Sequence, residues 1–545
     1  MKVSLAQINS CLGQFSYNAD RMVRYAQKAK NNGSDLVIFP ECSLTGYHPV
    51  DLLERDSVVE AQLKELERLA KRLPKDIGVF VGAITRNEKP GKNYFNSAVF
   101  IYRNKIQKIF HKELLPTYDV FDEARHITPG ETSKNIFRFK GFRILTCICE
   151  DIWAWTLPGE SEKQRYHTNP IKKIKDKNID LIVNLSASPF HTKKWNQRKF
   201  VTEKCASHLR APMIYVNMVG AQDELIYDGG SFAIDKKGRR VAQASRYKED
   251  LVSFEIEPKT KKVKSGQKRI IRVNRTSDIY NALVLGVRDF VNKVGFQRVH
   301  LGLSGGIDSA VVAAIAADAI GSEKLTCIAL PSKFNSPKSL SSAKTLAKNL
   351  NCEFIEMPIQ ELYECETKLV DQTFGKQKFS IVHENLQART RGMLLMTYSN
   401  LNHSLLINTS NKSELAMGYS TLYGDQCGGL CPIGDLLKTE VVKLAEYINR
   451  NEEIIPRFII DRPPSAELRK NQKDEDSLPK YDVLDKAVTN LVIKTKKPKG
   501  ELERRVLKSM MQSEFKRWQA PPILKVSDHA FGRGRRLPVA HKAFY

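Results

Sequence analysis

The chain has 545 residues, of which 41% are hydrophobic and 27% are charged, so we expect a soluble, globular protein with two or more domains. No apolar run reaches the roughly 18 residues that a transmembrane helix needs, and the N-terminus begins a strand pattern instead of a signal peptide. The ten cysteines lack the spacing of a disulfide framework. These features predict a cytoplasmic protein without a membrane partner.

The chain carries 87 basic and 61 acidic residues, a net charge of +26. Such an excess is found in nucleic-acid-binding proteins, but also in proteins with a solvated basic surface or with small anionic substrates. The basic residues are dispersed, and their densest runs lack the interleaved aromatic residues that bind single strands: Lys259–Arg269, Lys494–Lys499 and Arg533–Arg536. We therefore predict no nucleic-acid partner.

The first half of the chain alternates strand and helix patterns. Asn18–Asn32 has apolar positions at helical spacing and ends at Gly33, which predicts a helix. Strands are predicted at Val3–Ile8, Leu36–Phe39, Val79–Ile84, Ala98–Tyr102, Phe142–Ile148, Leu181–Leu185 and Met213–Val219.

The pattern changes after residue 256. The segment 257–274 is basic and contains Pro258 and Gly266, which predicts an exposed linker between a domain of residues 1–256 and one of residues 275–545. A second series of strands, separated by helical patterns, predicts a doubly wound parallel sheet: Val299–Leu303, Leu325–Leu330, Phe354–Met357 and Leu405–Asn408. The tail after Asp461 is rich in Pro, Lys and Arg, so we expect less regular structure there.

Three polar residues of the first half follow or end strand patterns. A carboxylate such as Glu41 can activate a thiol such as Cys149 as a nucleophile, and an ammonium such as Lys112 can stabilise an oxyanion. Each residue alone also has an ordinary interpretation. Cys149 suits a small buried position, Glu41 a helix cap and Lys112 the surface.

The segments around these residues resemble the motifs of the nitrilase (carbon–nitrogen hydrolase) superfamily, in the family's order: Pro40-Glu41, Lys112 to Tyr118, and Cys149-Glu150-Asp151. The resemblance implies an αββα sandwich. It also implies that Cys149 attacks an amide carbonyl, with Glu41 as general base and Lys112 as oxyanion ligand. Asn184–Phe190 resembles the substrate loop of members that hydrolyse glutamine. By that likeness Ser188 and Lys194 hold L-glutamine and Tyr118 lines its pocket; Ser188 is equally typical of an ordinary turn.

In the second half, a strand pattern, a Ser/Gly turn and a helix pattern meet at residues 302–309. Backbone N–H groups at such a turn form a site for phosphate. The turn lacks the Gly-Lys-Ser/Thr of a Walker A motif. It resembles instead the pyrophosphate loop of enzymes that split ATP into AMP and pyrophosphate, which implies that ATP is bound by Gly302, Leu303, Ser304, Gly305, Gly306, Ile307, Asp308 and Ser309.

Charged residues further along the chain fit the same chemistry. Asp308 and Glu414 are carboxylates on two loops and are candidates to share Mg²⁺, although Glu414 also suits the first turn of a helix. Lys438 is placed to offset negative charge that grows on phosphate.

The blocks after the loop resemble NAD+ synthetases, at Pro331–Lys333, Glu384–Gly392, Thr409–Thr439, Pro463–Glu467, Gln472–Glu475 and Phe515–Trp518. The resemblance implies that Thr409 and Lys438 bind ATP and that Asn385, Glu414 and Lys516 contact the dinucleotide. Trp518 stands where the family pattern leads us to expect a basic residue.

From end to end, the chain resembles glutamine-dependent NAD+ synthetases. This implies ATP-dependent amidation of deamido-NAD+ through an acyl-adenylate, with Mg²⁺, ammonia released from glutamine and a sheltered passage for that ammonia, in a homo-oligomer. Another pyrophosphate-loop amidotransferase, acting on a base or on tRNA, is the alternative. A nucleic-acid-binding module with a decayed enzyme fold is a second one, and the presence of Cys149, Lys112 and Asp308 argues against it.

Overall fold

The fold is described from a computed structural model that covers residues 1–159, 166–175 and 178–541. The chain divides into two compact units. The first comprises Met1–Gln222 with Ile226–Arg272, and the second comprises Asp223–Leu225 with Val273–Tyr545. Among the helices described, none combines the length and hydropathy that crossing a bilayer requires.

The first unit is built from two large sheets, a two-stranded sheet, and the helices that cover the large sheets. Its strands are β1 (Lys2–Gln7), β2 (Leu36–Ile38), β3 (Gly78–Arg86), β4 (Tyr94–Tyr102), β5 (Lys105–His111), β6 (Ile136–Phe139), β7 (Phe142–Ile148), β8 (Leu181–Ser186), β9 (Met213–Asn217), β10 (Val219–Gln222), β11 (Leu225–Asp228), β12 (Phe232–Ile234), β13 (Arg240–Gln243), β14 (Asp250–Ile256) and β15 (Val263–Lys264). Its helices are α1 (Phe15–Asn31), α2 (Asp56–Arg72), α3 (Pro170–Lys173) and α4 (Lys194–Leu209).

The larger sheet has the order β15-β14-β1-β2-β3-β4-β5, and the other large sheet has the order β13-β12-β9-β8-β7-β6. Strands β1, β2 and β3 run parallel, as do β7, β8 and β9. Side chains of both sheets, among them Phe80, Phe142 and Ile214, share one buried cluster. The two sheets therefore pack face to face.

Helices cover the outer faces of both sheets. The apolar stripes of α1 and α2 pack on the first sheet through Met22 and Leu66, and α4 packs on the second through Val201 and Cys205. The first unit is thus an αββα sandwich, which confirms the fold expected from the resemblance. Strand β15 lies within the segment predicted as a linker and pairs with β14.

The second unit contains a parallel sheet and many helices. Its strands are β16 (Arg298–Gly302), β17 (Leu325–Ala329), β18 (Glu353–Glu356) and β19 (Ser404–Leu406). Its helices are α5 (Arg275–Val294), α6 (Ile307–Ile320), α7 (Pro337–Asn349), α8 (Gln360–Phe374), α9 (Ile381–Asn402), α10 (Lys412–Met417), α11 (Lys438–Ile448), α12 (Arg457–Asp461), α13 (Tyr481–Val488), α14 (Gly500–Gln512) and α15 (Glu514–Arg517).

The strand order of this sheet is β18-β17-β16-β19, all parallel. The chain leaves β16 toward β17 on one side and later returns to add β19 on the other side. This reversal creates a topological switch point at the carboxyl ends of β16 and β19, where doubly wound sheets bind ligands. The predicted parallel, doubly wound sheet is therefore confirmed.

The region after Asp461, where the sequence predicts less regular structure, contains α13, α14 and α15 between irregular segments. These helices form because apolar residues recur at helical spacing: Leu484, Val488, Val506 and Met510 share one buried cluster. Residues 542–545, at the end of this tail, lie outside the described residues.

Candidate active sites

The first site centres on Lys112, which follows β5. Its Nζ lies 2.8 Å from Oε1 of Glu41 and 2.8 Å from Oε1 of Glu123, and the Lys112 and Glu41 side chains have no exposed surface. Burial alone would lower the pKa of Lys112, but the carboxylates of Glu123 and Glu41 raise it well above its ordinary value. The side chain therefore remains an ammonium.

Glu41 follows β2 and is held by fixed donors. Asn96 Nδ2 donates to its Oε1 and the backbone N–H of Ala187 donates to its Oε2, each over 2.8 Å. A Cβ on Gly82 would lie 2.2 Å from the backbone N of Cys42, so only glycine lets the Glu41 segment pass this close to β3. Burial raises the pKa of Glu41, and Lys112 offsets only part of that effect.

Cys149 begins a single helical turn at the end of β7 and has a φ of 43°, which is rare for a residue other than glycine. The carboxylate of Asp151 holds the turn. It accepts hydrogen bonds from the backbone N–H of Ile148 at 2.8 Å and of Glu113 at 2.9 Å, which ties the turn to the segment carrying Lys112. Burial, with the nearby Glu41, raises the pKa of Cys149 well above its usual value. The thiol is therefore neutral at rest and needs a base.

The residues predicted to hold glutamine lie around this turn. The Tyr118 hydroxyl donates to Oε1 of Glu150 over 2.8 Å. The Lys194 Nζ lies 3.8 Å from the ring centre of Trp153, four residues after Cys149. Ser188 is buried, and its backbone N–H donates to Asn217 Oδ1 over 2.9 Å. Their roles toward glutamine stay predictions.

Glu123 was not predicted from the sequence. Besides accepting from Lys112, its Oε1 accepts from the Tyr47 hydroxyl over 2.6 Å, and its buried Oε2 has no hydrogen-bond partner among the described residues. It lies in a short helical turn, Glu123–Arg125, within an irregular stretch without apolar periodicity. Its spacing from Lys112 carries no recognisable pattern, so only the folded chain shows that the lysine has two acidic partners.

The second site is a cavity of about 290 Å³ at the carboxyl ends of β16, β17 and β19. Residues 302–304 and 306–309 line it, as do Thr409, Glu414 and Lys438. The sequence motifs, which are spread over more than a hundred residues, thus converge on one cavity. Its floor is apolar on the β17 side, where Ile328, Ala329 and Leu330 contribute.

The loop after β16 has the geometry of a phosphate site. Gly306 is the N-cap of α6, so the first backbone N–H groups of this helix face the loop. Gly305 has a φ of 76°, and a Cβ there would lie 2.3 Å from the carbonyl oxygen of Ser339. The loop therefore requires glycine at this position, both for its conformation and for the close approach of α7.

Carboxylates surround Lys438 near the first turn of α6. Its Nζ pairs with Asp308 and lies 3.3 Å from Oε1 of Glu414, while Asn411 Nδ2 donates to Asp308 over 2.9 Å. Asp474, which was not selected from the sequence, also acts on this group. Burial raises the pKa of Glu414 most, and the negative charges of Asp308 and Asp474 raise it further. That pKa is about 8.

These carboxylates fit a divalent cation. Asp308 and Glu414 both contact the one ammonium of Lys438, and Asp474 adds a third negative charge that acts on Glu414. Oxygen ligands of this kind are those that Mg²⁺ binds. The residues present therefore suit the predicted Mg²⁺.

Asn385 and Lys516 contact residues that line the cavity or adjoin them. The Thr421 hydroxyl, part of the lining, donates to Asn385 Oδ1 over 2.8 Å. The Lys516 Nζ donates to the carbonyl oxygens of Gly418 at 2.8 Å and Ser420 at 2.7 Å, on either side of the lining residue Tyr419. Their contact with a dinucleotide stays a prediction. Trp518 is 65% exposed.

The folds and sites define a two-domain α/β enzyme that carries an amidase-type site and a nucleotide site in one chain. The carbon–nitrogen hydrolase model matches residues 2–264 and the NAD synthase model matches residues 279–520. The chain is 42% identical to a glutamine-dependent NAD+ synthetase of Synechocystis sp., over all of this chain and 99% of the relative. It is 37% identical to the glutamine-dependent NAD+ synthetase of Acinetobacter baylyi, over 99% of this chain and 98% of the relative. The chain belongs to the glutamine-dependent NAD+ synthetase family.

Solved structures agree with this assignment. The glutamine-dependent NAD+ synthetase of Acinetobacter baumannii, in complex with ADP, is 34% identical and superposes with a TM-score of 0.78, covering 99% of this chain and 98% of that one. A glutamine-dependent NAD+ synthetase from Cytophaga hutchinsonii superposes with a TM-score of 0.83 at 20% identity, over 100% of this chain and 98% of that one. It shows the same fold.

Proposed function

We propose that the chain amidates deamido-NAD+ to NAD+ at the second site, using ATP and the ammonia that the first site releases from L-glutamine. The observation that carries this is the presence of both sites, a buried Lys112 between two glutamates and a nucleotide cavity around Asp308, in a chain that matches a family member from end to end. Residues 1–256 form the amidase domain and residues 275–545 the synthetase domain, joined by 257–274.

At the first site, Glu41 takes the proton of Cys149, and the thiolate attacks the side-chain carbonyl of glutamine. Lys112 and the backbone N–H of Glu150 stabilise the oxyanion. Collapse of the tetrahedral intermediate forms a thioester and expels ammonia, which receives the proton from Glu41. Water, deprotonated by Glu41, then attacks the thioester carbonyl; glutamate is released, and the departing Cys149 thiolate regains the proton from Glu41. Tyr118, Ser188 and Lys194 hold the amino-acid end of the substrate.

At the second site, residues 302–309 and Thr409 bind ATP, while Asn385, Glu414 and Lys516 contact deamido-NAD+. The nicotinate carboxylate attacks the α-phosphorus, and pyrophosphate leaves. Lys438 offsets the charge that develops on the phosphates. Ammonia attacks the acyl-adenylate at its carbonyl carbon and loses a proton, and AMP leaves with the acyl carbon–oxygen bond electrons. The products are NAD+, AMP and pyrophosphate.

Asp308 and Glu414 would hold Mg²⁺, with Asp474 close by. When bound, the ion neutralises charge on the substrate phosphates. Residues 302–309 position those phosphates through backbone N–H groups.

We further propose a homo-oligomer formed through the synthetase domain. Apolar side chains are exposed along α8 and α9, including Leu369 (64%), Phe374 (75%), Met393 (49%) and Leu401 (76%). Exposed apolar patches of this kind mark protein interfaces. Light scattering on the purified chain tests this, and a monomer at micromolar concentration would contradict it.

One incubation tests the function. The purified chain is given ATP, Mg²⁺, glutamine and deamido-NAD+, and AMP, glutamate and NAD+ are quantified together. Equal amounts of AMP and NAD+ are expected, and no AMP when the dinucleotide is omitted. AMP formed with a nucleobase or tRNA, but not with deamido-NAD+, would instead support another amidotransferase.

A further inference from the structure

Arg391, on the inner face of α9, lines the nucleotide cavity and has only neutral hydrogen-bond acceptors. Its Nε donates to the carbonyl oxygen of Leu330 at 2.9 Å, and its Nη2 lies 3.2 Å from Asn335 Oδ1 and 3.4 Å from Ser332 Oγ. Within the part of the chain that the structure describes, no carboxylate forms an ion pair with this guanidinium.

Glu467 is the carboxylate whose charge acts on Arg391, but its oxygens have other donors. Its Oε1 accepts from the Ser339 hydroxyl at 2.8 Å and lies 3.1 Å from Arg462 Nη2, and its Oε2 accepts from Asn335 Nδ2 at 3.1 Å. Glu467 therefore neutralises Arg462, a second arginine of the cavity wall, and leaves Arg391 without a counterion.

Burial lowers the pKa of Arg391 to about 10, so the side chain is still a cation at neutral pH. The side chain is partly exposed where it borders the cavity, and because a cation withdrawn from part of its water without an anion beside it is costly, a ligand that supplies the missing charge would be favoured here. A third cation of the cavity wall, Lys438, already faces Asp308 and Glu414. Among the described residues that line the cavity, Arg391 is thus the cation without a carboxylate in ion-pair contact, and a triphosphate entering the cavity meets its charge.

The position of Arg391 relative to the phosphate loop agrees with this role. Its partner Asn335 directly precedes Ser336, the N-cap of α7, and Ser339 in the first turn of α7 packs against Gly305. Arg391 therefore contacts the segment that leads into α7, and the first turn of α7 packs against the phosphate loop.

We propose that Arg391 is a phosphate-binding residue for ATP, whose guanidinium supplies the counter-charge that Lys438 cannot. The proposal rests on the proposed function, since it requires ATP in this cavity. Arginine suits the position because its planar fork can keep the bond to Leu330 through Nε while a terminal nitrogen binds a phosphate oxygen.

The test uses the ammonia-dependent reaction of the full-length chain, which isolates the second site from the first. Arg391→Gln is expected to raise the KM for ATP roughly 10- to 100-fold, the usual effect of losing a charge-assisted hydrogen bond, and to leave the KM for deamido-NAD+ within about twofold. Arg391→Lys is expected to fall between Arg391→Gln and the parent, because it keeps the charge but loses the fork.

A structural role would give a different result. Arg288→Gln is the matched control, because Arg288 also donates to backbone carbonyls, those of Ala319 and Asp318, but lies on α5 away from the cavity. Its KM for ATP should not change. Adenosine has the base and sugar of ATP but no phosphates, so its binding as a competitive inhibitor does not depend on a phosphate contact. Its inhibition constant should be the same in the parent chain and in Arg391→Gln.

An unchanged KM for ATP in Arg391→Gln, an equal weakening of adenosine and ATP, or a rise confined to the KM for deamido-NAD+ would each overturn the proposal. Failure of the parent chain to form AMP from ATP and deamido-NAD+ would instead overturn the proposed function. The two failures are thus distinguishable in one set of assays.

Discussion

The ammonium of Lys112 lies 2.8 Å from a carboxylate oxygen of Glu41, and neither side chain has any exposed surface. Two buried charges of opposite sign stabilise each other only when their geometry is good and their remaining hydrogen bonds are satisfied. Here Asn96, Ala187 and Glu123 satisfy them. The pair holds a base and a fixed cation close to Cys149, both shielded from solvent, which is the arrangement that acyl transfer needs.

Replacing the nucleophile should separate the two sites. Cys149→Ala is expected to abolish NAD+ formation from glutamine and to keep formation from ammonia, because only the first site uses the thiol. Steady-state rates with the two nitrogen donors measure this. Cys147→Ala is the matched control, since Cys147 is a buried cysteine two residues earlier that packs in an apolar cluster. Loss of both activities in Cys149→Ala would refute the assignment of separate sites.

Removing the carboxylate at the start of α6 should affect both nitrogen donors. Asp308→Asn is expected to lower AMP formation at least about 100-fold with glutamine or ammonia, because Asp308 is the partner of Lys438 and a candidate Mg²⁺ ligand. Asp318→Asn, in the last turns of the same helix, should retain activity. Turnover of Asp308→Asn near that of the parent chain would exclude the metal role.

Glu123, the second acidic partner of Lys112, should shift the acid limb of the pH–rate profile of glutamine hydrolysis. Glu41 acts as a base only when ionised, and because burial raises its pKa, activity falls as pH decreases through that raised pKa. Glu123→Gln removes a nearby negative charge while keeping an acceptor for Lys112, so it lowers the pKa of Glu41. The acid limb of kcat/KM for glutamine should move down by roughly 0.5–1 pH unit. A limb that stays in place or moves up would show that Glu123 does not tune the base.

Stability of the second unit should depend on a buried ion pair that touches no substrate in the proposed mechanism. Lys412 and Asp435 pair at 2.7 Å with no exposed surface. Lys412→Met removes the ion-pair partner of the buried Asp435 carboxylate and should lower the free energy of unfolding by about 3–5 kcal/mol in urea denaturation. Arg457→Met breaks a pair with Glu446 in which both side chains are about half exposed, and should cost far less than Lys412→Met, because water screens this pair. Equal costs for the two variants would contradict this.

The sequence located much of both sites because their residues follow predicted strands. Parallel strands place their carboxyl ends at one edge of a sheet, so the strand patterns before Asp308 and before Thr409 place both residues at that edge. Glu41, after β2, and Cys149, at the end of β7, belong to two sheets, and their meeting follows from the face-to-face packing of those sheets.

The amino-acid sequence by itself determined the two α/β units, the phosphate loop and the residue types that carry the chemistry, since strand periodicity, glycine positions and motif order are local properties of the chain. Only the tertiary structure decided which charges are compensated. Glu123 lies in an irregular stretch and Asp474 in the tail, yet the first pairs with Lys112 and the second faces Lys438. Arg391 stands on a helix that looks ordinary in sequence and lacks a counterion only once the chain is folded. The physical reason is that electrostatic balance in a buried site depends on distances between residues far apart in the chain, which no local pattern specifies.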